Sequence, residues 1–326
     1  MSSFLITGGM GYVGGRLALA LRRRLPGARV ILGVRPGRDI PAWARDFETC
    51  PMILGDASMK GVLPRGVDVL VHLAALNEIQ CGRDPLEAMR VNALGTHHLL
   101  EEAVRAEAAR MIYFSTFHVY GPHAKGRITE ATPTRSSHPY AYSHRAAEDV
   151  VDHFRERKGL PGAILRLSNA FGAPADMGVD RWTLVFNDLC RQAVDTGRLV
   201  LTSSGLQHRD FITLGDVASA VIHLASKPET WGDGLFNLGS GRSMSVLEAA
   251  GHVARVFAAT FDAPPPPVAA ASSRPDESHE PFTYCTGKLL ETGFVPAAGM
   301  DAEIRACLEL CAGRYPGRRT HEGERA

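Results

Sequence analysis

The chain has 326 residues, 36 basic against 35 acidic side chains, a formal net charge of +1 and 45% hydrophobic residues. This length suits one large domain or two intimate ones around a sizeable core. The charge balance creates no global field for nucleic acid or an anionic membrane, and no apolar run reaches the ~18 residues of a membrane helix.

"FLIT" (4–7) reads as the first strand and "GYVGGRLALALRRRL" (11–25) as a helix. "ARVILGV" (28–34), "MILGD" (52–56) and "VDVLVHLAA" (67–75) read as strands two to four. A long helical stretch runs from about Asp84 to Ala108, before a fifth strand, "RMIYFST" (110–116). A second helix spans about Tyr140 to Lys158, and "GAILRLS" (162–168) is the sixth strand. Strict alternation of strand and helix implies βαβ units and a parallel sheet covered by helices on both faces. Past Ser168 the rhythm loosens into loops such as 172–182 and 202–211, while "LGDVASAVIHLAS" (214–226) reads as a helix returning to the sheet. The proline-rich stretch 263–277 is a connection, and the charged residues 313–326 read as a tail.

Six cysteines (Cys50, Cys81, Cys190, Cys285, Cys307, Cys311) form no CxxC pair and no zinc-type array, so buried reduced thiols are expected. The opening "MSSFLITGGMGYVGG" has no basic leader and turns to glycine after one short apolar run, unlike a signal peptide or anchor. A cytoplasmic location is the expectation.

The first chemical motif is "TGGMGYVGG" (7–15), between strand and helix. Gly8, Gly11 and Gly14 permit a tight turn and close approach of backbone to a pyrophosphate, and the helix N-terminus supplies free N–H groups. An NAD site would place a carboxylate at the end of the second strand to hold the ribose 2′-hydroxyl. Val34 and Arg35 stand there, with Asp39 the nearest acid. A guanidinium suits a 2′-phosphate, so NADP is favoured over NAD, although Arg35 also reads as a solvated loop residue. Asp56 is placed to accept from the adenine amino group, or to cap a turn.

These features, with "HLAA" (72–75), "VNALGTHHLLEEA" (91–103), "STFHVYG" (115–121), "HPYAYSHRAAE" (138–148), "LRLSNAFG" (165–172), "RDFITLGDVASA" (209–220), "FNLGSG" (236–241) and "SRP" (273–275), resemble the extended short-chain dehydrogenase/reductase family of nucleotide-sugar epimerases, dehydratases and reductases. The resemblance spans nearly the whole chain. It implies a Rossmann-type doubly wound parallel α/β sheet with a smaller, mixed C-terminal substrate domain. The dinucleotide-binding domain would comprise 1–168 and about 209–240, and the substrate domain about 169–208 and 241–312. It further implies cofactor contacts at Tyr12, Val13, Ala57, Leu73, Ala74, Ala75 and Asn92, and a homodimer through the two long helices.

The family's tyrosine motif "PYxxSKxxxE" aligns on Pro139, Ser143 and Glu148, which makes Tyr140, not Tyr142, the proton donor or acceptor. Thr116 takes the place of the hydroxyl that polarises the reacting oxygen. The family's lysine is replaced by His144. An imidazole can supply its hydrogen bond to the cofactor ribose, but its charge only when protonated. Arg145 is turned ~100° away on a helix. Three readings follow: a working substitute, a weakened enzyme kept for binding, or a position changed by engineering or compensated elsewhere. Where sugar 4,6-dehydratases carry an Asp-Glu pair, this chain has Phe117 and His118, which argues against that reaction. His118, Asn169, Arg209 and Arg274 fall where the family holds its substrate, and arginines suit a diphosphate. His118, His123, His138 and His144 match no metal spacing. The expectation is an NAD(P)-dependent enzyme acting at sugar C4 of a nucleoside diphosphate sugar, as a 4-ketoreductase, alternatively a 4-epimerase, alternatively a non-catalytic nucleotide-sugar or NAD(P)-binding homologue.

Overall fold

The computed structural model describes residues 2–55, 59–122, 124–271 and 280–314. Its centre is a seven-stranded, all-parallel sheet. In chain order the strands are β1 (Ser3–Thr7), β2 (Arg29–Val34), β3 (Glu48–Pro51), β4 (Val69–His72), β5 (Met111–Thr116), β7 (Gly162–Leu167) and β11 (Leu235–Leu238), with the short β6 (Arg127–Ile128) and β8 (Asn169–Phe171), β9 (Leu199–Leu201) and β10 (His208–Thr213) lying outside it. The spatial order is β3-β2-β1-β4-β5-β7-β11, reversing direction at β1/β4. Open α/β sheets bind ligands at this switch point, beyond the carboxyl ends of the strands.

Successive side chains on a strand face opposite ways, so a two-sided sheet needs unbroken apolar runs. Phe4 and Ile6 join one buried layer with Leu17, Ala18 and Leu21 of α1 (Tyr12–Arg24). Leu5 and Leu70 face the other layer, built on α4 (Gly95–Arg105) and α5 (Pro139–Arg157). The helix α7 (Leu214–Ser226) packs beside α1, as its alternation of Val217, Val221 and Leu224 requires.

A smaller unit follows the sheet. Here β10 pairs with β8 and with β12 (Ser243–Ser245), and β9 pairs with β13 (Val268–Ala270). A core of Phe186, Leu189, Val253, Ile304 and Leu308 joins α6 (Val185–Thr196), α8 (Val246–Phe261) and α10 (Met300–Arg314). β14 (Thr283–Tyr284) pairs with β6, and α9 (Gly287–Glu291) follows it.

Two sequence expectations are corrected. The third strand is Glu48–Pro51, not 52–56: β3 is an edge strand, so it tolerates exposed Glu48 and Thr49, and Met52 instead folds over the face of Gly33. The stretch 84–108 is also not one helix. Preceded by α2 (Glu78–Arg83), it breaks into α3 (Pro85–Ala88), a π-helical turn (Met89–Leu94) and α4, which stops at Arg105. The π turn brings Asn92 inward, where Oδ1 accepts from Leu76 N (2.8 Å) and Nδ2 donates to Ser143 Oγ (3.0 Å). Inserted π turns of this kind gather at functional sites. Five cysteines are buried free thiols as expected; Cys285 is only half-buried. No described helix is long and apolar enough to cross a membrane. The expected tail lies almost wholly outside the described residues, but Gly313 and Arg314 belong to α10.

Candidate active site

The phosphate loop is built by glycine. Gly8 sits at φ +66°, and a Cβ on Gly14 would lie 2.3 Å from the Gly8 carbonyl oxygen, so only glycine lets α1 close on the loop. Gly11 caps α1, and the loop closes through Gly11 N to Gly8 O (2.8 Å). The next N–H groups, of Tyr12, Val13 and Gly14, precede the first helical bond, Gly15 N to Gly11 O (2.9 Å), and are free for an anion. The Tyr12 side chain turns away, its hydroxyl donating to Gly172 O (3.0 Å). Ala74 packs its backbone on Gly8, and Leu73, Ala74 and Ala75 lie half-buried beyond β4.

This wall is fixed by a chain of buried polar groups. Thr7 Oγ1 accepts from Leu73 N and Ala74 N (3.1 Å each), so its proton goes to His72 Nδ1 (2.7 Å). His72 Nε2–H then donates to Thr96 Oγ1 (3.0 Å), which donates to Asn92 O (2.5 Å). Burial holds His72 down to about 3, so it is neutral. Asn92 therefore spends its amide on bracing. Arg35 is exposed just past the buried Val34, where β2 ends. Asp56 and Ala57 lie outside the described residues.

Thr116 ends β5, and α5 begins beside it. His138 caps α5 through Nδ1, which accepts from Tyr140 N (3.2 Å), and Pro139 occupies the first turn, where a missing N–H costs nothing. Tyr140 is thus aimed at Thr116, whose hydroxyl lowers the tyrosine pKa. Burial, and then the Glu78 carboxylate, outweigh this and push the Tyr140 hydroxyl up to about 12. One turn later the His144 ring meets the Tyr140 ring edge to face, centroids 4.6 Å apart.

His144 is 4% exposed. Its Nδ1 is 2.7 Å from the Tyr113 hydroxyl, and its Nε2 has no hydrogen-bond partner among the described residues. Burial, with a smaller contribution from His118, lowers it to about 4. At neutral pH it can offer a hydrogen bond but no charge. Arg145 supplies no charge here either, since its guanidinium pairs with Asp149 (2.6 Å). Tyr142 is half-buried and does not line the cleft in front of Tyr140.

Beneath this surface, Glu148 accepts from Arg166 (2.7 and 2.9 Å) and from Ser115 Oγ (2.5 Å), all three buried. That network ties α5 to β5 and β7 and so sets where Tyr140 stands.

The cleft has a volume of about 660 Å³ and is lined by Glu78, His118, Tyr140, Asn169, Arg209 and Phe282 among others. Arg209 has no carboxylate partner among the described residues, and burial lowers its pKa, which leaves a guanidinium open to an anionic ligand. Asn169 donates one amide N–H to Asp210 O (2.9 Å), which leaves its other N–H and its oxygen for a ligand. Burial, then the charge of Arg209, lowers His118. Glu78 was not singled out by sequence. Its signal is the capping box of Asn77 and Gln80, which starts a helix at the lip of the cleft. Arg274 and His123 lie outside the described residues. The described residues contain no group of three or more potential metal ligands.

A model of the NAD dependent epimerase/dehydratase family matches residues 4–239. The chain belongs to that family. Of two curated relatives, a dTDP-D-glucose 4,6-dehydratase of Mus musculus is 31% identical over 56% of this chain, which spans only half of that protein's length. The dTDP-L-rhamnose 4-epimerase of Burkholderia thailandensis is 27% identical over 84% of this chain and 85% of its own. The structure of RMD from Pseudomonas aeruginosa complexed with NADPH has the same fold, with TM-score 0.79, 22% identity and coverage of 96% of this chain and 100% of that one. The glycine cradle, the free helix N–H groups and the unpartnered His144 Nε2 all fit the nicotinamide dinucleotide of this family.

Proposed function

We propose that this protein is an NADPH-dependent 4-ketoreductase of a nucleoside diphosphate sugar. The observation that carries the reading is the neutral Tyr140–His144 pair. Burial and the Glu78 carboxylate outweigh the charge of Arg181 and raise the Tyr140 pKa to about 12, and His144 beside it is neutral, so Tyr140 keeps its proton at neutral pH. A protonated tyrosine is an acid, which reduction of a ketone requires; oxidation of an alcohol, the first half of an epimerisation, requires a base.

When bound, the nicotinamide supplies the hydride. Tyr140 gives its hydroxyl proton to the carbonyl oxygen, and Thr116 hydrogen-bonds and polarises the same oxygen. His144 Nε2 takes the nicotinamide ribose. Arg35 receives a 2′-phosphate, with no carboxylate at the end of β2 to select the 2′-hydroxyl. Asp56 and Ala57 are assigned to the cofactor by the family resemblance alone, Asp56 as acceptor from the adenine amino group. Arg209, Asn169, His118 and Arg274 hold the substrate, the guanidiniums on its diphosphate. Phe117 and His118 replace the carboxylate pair that elimination needs, so 4,6-dehydration is not proposed. Residues 1–168 and about 209–240 bind the dinucleotide; about 169–208 and 241–312 bind the sugar nucleotide. A cytoplasmic homodimer formed through α4 and α5 completes the reading.

Nucleotide-sugar 4-epimerisation is the second reading, favoured by the epimerase relative that matches 85% of its own length. Stoichiometry separates the two. Reduction consumes one NADPH for each nucleoside diphosphate 4-keto sugar, whereas epimerisation interconverts 4-hydroxy sugars with no net cofactor change.

A further inference from the structure

Tyr113 stands on β5 beneath the active site, 2% exposed, its ring between those of His72 (centroids 5.5 Å) and His144 (6.0 Å). Among the described residues its hydroxyl has one hydrogen-bond partner, His144 Nδ1 at 2.7 Å. A buried hydroxyl proton needs an acceptor, and a neutral imidazole carries one acceptor nitrogen and one donor. If Nδ1 held the proton, the Tyr113 hydroxyl proton would face no acceptor. Tyr113 therefore donates and Nδ1 accepts, which leaves the imidazole proton on Nε2. That atom has no hydrogen-bond partner among the described residues, and its ring abuts Tyr140 at the head of the cleft.

We propose that Tyr113 is a positioning residue that locks His144 in the Nε2–H tautomer, and that this N–H is the donor offered to a ribose hydroxyl of the dinucleotide. The two residues together replace the single ammonium donor of the family's lysine, with direction in place of charge. Burial raises the Tyr113 hydroxyl well above its ordinary range, so it remains a donor throughout the working pH range. The proposal rests on the dinucleotide reading for its second half.

The test is nitrogen-15 NMR of the histidine rings in the ligand-free protein, with NADPH titrations by calorimetry. Wild type should show His144 protonated on Nε2 and bare on Nδ1, and Tyr113→Phe should show a mixture of tautomers. Tyr113→Phe should also weaken NADPH roughly fivefold, the worth of one neutral hydrogen bond. In a His144→Lys background the same Tyr113→Phe change should alter NADPH affinity less than about twofold, because an ammonium has no tautomer to fix. A proton on Nδ1 in wild type, or an equal loss in both backgrounds, would overturn the proposal. If no variant bound NADPH while the imidazole signals behaved as described, the dinucleotide reading would fall and the tautomer assignment would stand.

Discussion

His144 makes a quantitative prediction about acid stability. In the unfolded chain its imidazole titrates near 6.5, and in the folded protein near about 4, because burial penalises the cation. Between those values the unfolded chain binds more protons than the folded one, so stability falls as pH drops from 6.5 towards 4. At pH 4.5 the unfolded imidazole is almost wholly protonated and the folded one mostly neutral, which costs roughly 2–3 kcal/mol relative to pH 7.5. Carboxylates and the buried His72 titrate as well, but they are shared with a His144→Gln variant. Urea unfolding at both pH values should therefore show a stability drop roughly 2–3 kcal/mol larger in wild type than in His144→Gln. Equal drops would mean that the folded imidazole titrates normally, and the neutral-pair argument would fail.

Three other substitutions probe separate parts of the site. Tyr140→Phe should lower kcat by about a hundredfold or more with NADPH affinity unchanged, the worth of a positioned acid; a larger loss in Tyr142→Phe would show that the wrong tyrosine was chosen. Arg35→Ala should weaken NADPH by about 1.5–3 kcal/mol, the worth of a charged hydrogen bond, and leave NADH nearly unaffected; parallel calorimetric titrations decide this, and wild-type preference for NADH would contradict it. Gly14→Ala should abolish dinucleotide binding, because its Cβ would press within 2.3 Å of the Gly8 oxygen; retained affinity would mean that the cradle is not the site.

What was legible in the sequence was local. The glycine loop, the strand–helix alternation and the register that selects Tyr140 all depend on spacing within one segment. The break in the 84–108 stretch was hidden because a π turn keeps helical composition, and only the distant partners of Asn92, at Leu76 and Ser143, reveal why it exists. The third strand was misplaced because an edge strand tolerates the polar Glu48 and Thr49, while the more apolar Met52 and Ile53 follow it. His144 was visible as a departure, but its protonation state was not. That state depends on burial and on Tyr113, 31 residues away on another element. Glu78 was missed for a similar reason: it reaches the cleft only because α2 starts at its lip.

The central claim is tested most directly by isotope transfer. NADPH carrying deuterium at the hydride position is mixed with the protein and a nucleoside diphosphate 4-keto sugar, and the product is read by mass spectrometry and NMR. The account predicts one deuterium on sugar C4 and one NADP released for each product molecule. Interconversion of 4-hydroxy epimers with no cofactor consumed, and no reduction of the 4-keto sugar, would contradict it.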